Sequence, residues 1–100
     1  MNTLIANPAA KTPAEKNAMF KRLEDLAWRL SQNGCNRHEQ VIALVAACID
    51  EDLVTGPEIV GSVAQLGFNS RHVGKLLHDN IGHLWHRDGD RFYTALPPLN

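Results

Sequence analysis

The chain has no long hydrophobic run. Its longest uninterrupted apolar stretch, Val41 to Ile49, is nine residues, less than half of the roughly 20 that a bilayer-spanning helix needs. The N-terminal stretch Met1 to Lys11 has no basic start followed by a continuous apolar segment, so a secretory signal is not indicated and a cytoplasmic location is expected. With only Cys35 and Cys48, a disulfide framework is excluded, and Cys48, on an apolar helix face, reads as a small core residue. Charge of one sign is also missing. The net charge of −1 excludes a protein that coats nucleic acid by bulk electrostatics. There is no glycine-rich phosphate loop, nucleophile elbow, pair of acids in an apolar pocket, or zinc-ligand spacing, so no enzyme activity, metal or cofactor is expected.

What is present is enough to fold. Hydrophobic residues make up 44% and charged residues 21% of 100 residues, the proportions of a globular chain with a single core. The charge is uneven. Residues 1–68 carry six Lys/Arg against eight Asp/Glu, whereas residues 69–100 carry four against three, together with four of the five histidines.

Three segments begin with a capping residue followed three positions later by glutamate: Thr12 to Glu15, Asn36 to Glu39 and Thr55 to Glu58. In each, the cap can accept a backbone N–H while the glutamate returns a bond to the cap's own backbone, which predicts three helix starts. Pro13 suits the first position of the first helix. That helix, about 20 residues long, carries Met19, Phe20, Leu23, Leu26, Ala27 and Leu30 on one stripe, and Gly34 supplies a left-handed stop. The second helix is apolar through Val41, Leu44, Val45, Cys48 and Ile49, with Ile42, Ala43, Ala46 and Ala47 widening the stripe, and should be the most buried. An extended Leu53-Val54 step leads to a short third helix from Gly56 to about Leu66, with Ile59, Val60 and Val63 inward and Gly67 ending it. Asn69 or Ser70 can cap a fourth, running to about Asn80 on the stripe Val73, Leu76 and Leu77. At 100° per residue, Arg71, Lys75 and His78 fall within about 60° of one another on its opposite side.

From His83 to Leu96 the pattern alternates, and Asp88-Gly89 is a hairpin-turn signal. A two-residue loop there pairs Arg87 with Asp90, His86 with Arg91, Trp85 with Phe92 and Leu84 with Tyr93, and Pro97-Pro98 ends the second strand. Trp85, Phe92 and Tyr93 could stack on bases, but beside a small core they read as packing residues. The expected architecture is mainly α with a small β-hairpin, as one domain over residues 12–100 behind a loose arm of residues 1–11.

The order of helix, extended step, short helix, tight Gly67 turn, second short helix and aromatic hairpin over residues 36–96 resembles the winged helix-turn-helix family. Thr55-Gly56-Pro57-Glu58-Ile59-Val60 is similar to the opening of its first motif helix, Gly67-Phe68-Asn69 to its turn, and Trp85 through Tyr93 to its wing. The helix of residues 12–34 is then an N-terminal addition. The resemblance implies a small bacterial-type transcription regulator or accessory factor that binds duplex DNA. The recognition helix would present Asn69, Ser70, Arg71, Lys75 and His78 to a major groove, and His86, Arg87 and Arg91 of the wing would lie along an adjacent backbone. Asp88 and Asp90 depart from a strongly basic wing. A homodimer through Phe20, Leu23, Leu26 and Leu30 of the first helix is expected, since one such module reads only a short site. The competing expectation keeps the fold and makes it a protein-interaction module within a larger assembly. His72, His78, His83 and His86 invite a metal site, but His83 and His86 on a strand would face opposite ways; titration of these histidines near neutrality could instead tune phosphate contact.

Overall fold

The local capping signals translate directly into helices. In the computed structural model, which describes residues 11–53, 55–88 and 92–95, Thr12 and Asn36 both form complete capping boxes. The Thr12 hydroxyl and Asn36 Oδ1 accept from the backbone N–H of Glu15 and Glu39, and those glutamates accept from the cap backbones at 2.8 and 2.9 Å. Helix α1 therefore runs over Pro13–Gln32 and α2 over Arg37–Asp50. Gly34, at φ +79°, turns the chain between them in a conformation that an L side chain rarely adopts. The third box is only half made. Glu58 N–H donates to the Thr55 hydroxyl, but the Glu58 carboxylate accepts that same hydroxyl's proton at 2.9 Å and does not reach the backbone.

Helix α3, Gly56–Gln65, and helix α4, Ser70–Asp79, follow. The turn between them passes through Gly67 at φ +99°, and Asn69 caps α4 by accepting from both Arg71 N–H and His72 N–H at 2.9 and 3.1 Å. Helix α2 is the hub: Val41, Leu44, Val45 and Cys48 are fully buried, and α1, α3 and α4 all pack on it. Met19 and Leu23 of α1, Ile59 and Val63 of α3, and Val73, Leu76 and Leu77 of α4 join it in the core, together with Ile49, Leu53, Phe68, Trp85 and Tyr93. The Arg22 guanidinium grips the Glu51 carboxylate, Nη2 to Oε1 at 2.6 Å, tying α1 to the end of α2. No helix among the described residues is long and apolar enough to cross a membrane.

Strands β1, Trp85–Asp88, and β2, Phe92–Ala95, form an antiparallel pair, in a register that differs from the expected one. Trp85 lies opposite Ala95, His86 opposite Thr94, Arg87 opposite Tyr93 and Asp88 opposite Phe92. Three residues, 89–91, therefore separate the strands instead of two. A shift by an odd number exchanges the faces of one strand relative to the other. It brings Trp85 and Tyr93 to the same side, where both are buried; the two-residue loop would have turned one of them to solvent. The alternating stretch also starts later than His83. Asn80 caps α4, and its carbonyl collects the N–H groups of His83 and Leu84, so those two residues form a turn and Leu84 is left exposed. Residues 1–10 of the arm expected over residues 1–11, Val54 of the extended step, the loop residues Gly89 to Arg91 and the Pro97-Pro98 strand end lie outside the described residues.

Candidate nucleic-acid interface

Helix α4 is sealed on one side and open on the other. Val73, Leu76 and Leu77 are buried, while Ser70, Arg71, Lys75 and His78 are exposed. The three cationic or titratable side chains thus share one solvent face, as the helical spacing requires. Arg71 has no ion-pair partner among the described residues. Lys75 donates to Asp79 at 2.8 Å, four residues on; this hydrogen bond raises the lysine above its ordinary value and lowers the aspartate below its own. Both groups remain in water, where such a pair is weak and exchangeable. Asn69 is exposed, and its side-chain oxygen accepts from the two backbone N–H groups it caps, which leaves its amide NH2 as the group turned to solvent.

The hairpin divides its described basic residues between two faces. His86 is exposed on the outer face with Thr94, but Arg87 alternates onto the inner face with Trp85. It is half-buried, with its guanidinium carbon 5.9 Å from the Tyr93 ring centroid. Arg91 lies outside the described residues. Trp85 and Tyr93 are core residues, as expected, and the Trp85 indole N–H donates to the Leu77 carbonyl at 2.8 Å, fastening the hairpin to α4.

Two further basic residues, not foreseen, stand beside the start of α4. Arg37, in the first turn of α2, reaches across thirty residues to donate to the Gly67 carbonyl at 2.8 Å, and its guanidinium lies 4.0 Å above the Phe68 ring centroid. His38 and His72 approach to 5.9 Å between ring centroids. Arg37 and His38 follow the cap Asn36 directly, so their exposure at a helix start was readable; their closeness to α4 depends on how α2 and α4 cross, and no local pattern encodes that. No group of three or more His, Cys, Asp and Glu side chains among the described residues is placed to hold a metal ion.

The dimer face expected on α1 is largely used up within the chain. Leu23 is 1% exposed, and Leu26 and Leu30 pack against the same core, because this stripe is what docks α1 onto α2. Among the described residues the exposed large hydrophobic ones are Trp28 and Leu84. Between α1 and α3 a groove of about 550 Å³ opens, with Met19 and Leu53 beneath it and Phe20 on its wall. No family model, curated protein or solved structure matches the chain.

Proposed function

We propose that the chain binds duplex DNA through a winged helix-turn-helix arrangement, as a small transcription regulator or accessory factor, with α3 and α4 as the motif helices and the β1–β2 hairpin as the wing. The observation that carries this reading is the solvent face of α4. It presents Arg71, Lys75 and His78 from a helix held rigidly by the core on its other side, and an α-helix fits the major groove. Arg71 is the base-reading group, since guanidinium can bond guanine through two N–H groups; Lys75 exchanges Asp79 for a phosphate oxygen. Arg37 and His38, next to the start of α4, would meet the flanking phosphates.

Fluorescence anisotropy with random-sequence duplex DNA at low salt tests the proposal. Binding should weaken steeply as salt rises and be lost in the Arg71→Ala, Lys75→Ala double variant, whose substitutions are on an exposed face and leave the fold intact. No binding at about 50 mM salt would refute it. A second reading, a protein-interaction module in a larger assembly, is favoured by the net charge of −1 and by the Asp79 carboxylate on Lys75. Under it the same double variant would leave DNA untouched and disrupt a protein complex.

A further inference from the structure

We infer that the outer face of α1 is a self-complementary surface on which two copies of the chain pair antiparallel, each placing Trp28 at the mouth of the other's α1–α3 groove. The face in question lies opposite the stripe that docks α1 on α2. Ala14, Asn17, Lys21, Glu24, Trp28 and Ser31 recur along it at alternating three- and four-residue steps, so they form one continuous stripe of the helix, and all six are exposed. Trp28 is 64% exposed, an unusual position for the side chain that loses most by contact with water.

What selects a second copy as the occupant is that the projection and its recess are on the same helix. Asn17 lies eleven residues before Trp28, three helical turns or about 16 Å along the axis on the same side, and it borders the groove together with Lys21 and Glu24. A twofold axis crossing α1 at the level of Arg22 and Leu23 sets Asn17 against the partner's Trp28, Lys21 against the partner's Glu24 and Ala14 against the partner's Ser31. Every contact is then made twice, as an isologous interface demands. The charges agree with this register. Among the described residues neither Lys21 nor Glu24 has an ion-pair partner in its own chain, and the twofold supplies each with the opposite sign. The partner's indole enters beside Phe20, with Lys21 close enough to lie against its ring, and the groove volume accommodates it. The two open features of α1 close each other.

Sedimentation equilibrium of the full chain across a wide concentration range, without DNA, tests this independently of nucleic-acid binding. The native protein should show a monomer–dimer equilibrium. Trp28→Ala should weaken association by about tenfold or more, with the thermal midpoint of the monomer unchanged because the residue supports no core contact. Lys21→Glu and Glu24→Lys should each weaken it, since like charges then face across the axis, and the Lys21→Glu, Glu24→Lys double swap should restore it. A monomer at every concentration, a dimer indifferent to Trp28→Ala, or a double swap no better than the single ones would each overturn the inference.

Discussion

Cys48 and Cys35 carry the same thiol in different surroundings: Cys48 is fully buried on α2 and Cys35 only half-buried in the α1–α2 turn. Burial pushes the Cys48 thiol up to about 12 from an ordinary 9.0, with the Glu51 charge adding to the effect. The folded form thus holds a proton that the unfolded chain releases first. The stabilisation is complete below about pH 9 and is lost as pH climbs toward 12. A Cys48→Ala variant should therefore show a shallower alkaline loss of stability than the native chain in urea titrations across that window; equal slopes would show that the thiol does not titrate late. Trp85 makes a different demand. Its indole N–H satisfies the Leu77 carbonyl inside the core, and Trp85→Phe strands that acceptor while shrinking the ring. A loss of about 2 kcal/mol is expected from an unsatisfied buried group and the small cavity together, measured by urea unfolding followed by circular dichroism. A loss below about 0.5 kcal/mol would mean that water reaches the carbonyl.

Each helix is specified by residues within one turn of its ends, and that is why the helices were legible in the sequence. Thr12 with Glu15 and Asn36 with Glu39 form their boxes from contacts three residues apart, so no knowledge of the rest of the chain is required. The hairpin could not be read in the same way. Asp88-Gly89 is a strong local turn signal, yet the pairing is decided by the joint burial of Trp85 and Tyr93 against α4 and α2, a tertiary demand that outweighs turn chemistry. Two helices still carry glycine inside them. An added Cβ at Gly61 of α3 or at Gly74 of α4 would meet nothing within 4 Å, so alanine at either should stabilise the fold by about 0.5–1 kcal/mol through helix propensity alone. The two substitutions diverge in function. If the chain binds DNA as proposed, Gly61→Ala should leave that binding unchanged, whereas Gly74→Ala adds a methyl beside Ser70 and Arg71 and should weaken it where that face seats closely in a groove. Anisotropy on both variants makes the comparison, and equal affinities would place the groove contact elsewhere on α4.

At the scale of the whole molecule, the tension is between a cationic face and a chain that is slightly acidic overall. Arg71, Lys75 and His78 could be grouped from helical spacing because one helix carries all three. Arg37 and His38 could not, since they join the start of α4 only through the crossing of α2 and α4, whereas Arg87, two residues after Trp85 on the same strand, shares its inner face in any register. The net charge of −1 means that any attraction to DNA is local, so the acids nearest the interface govern it more than the total does. Asp88, exposed at the end of β1, is the described acid nearest the hairpin tip. If the hairpin lies along a phosphate backbone, Asp88→Asn removes a repulsion without touching the core. Affinity for random duplex DNA should then rise several-fold at low salt, and the gain should shrink as screening shortens the range of the field to about 10 Å near 0.1 M salt. The same substitution on the Arg71→Ala, Lys75→Ala background should rescue little if, as proposed, α4 supplies the anchoring contacts and the hairpin only modulates them. An affinity that does not change with Asp88→Asn at any salt concentration would detach the hairpin from the DNA and leave the contact to α4 with Arg37 and His38 beside it.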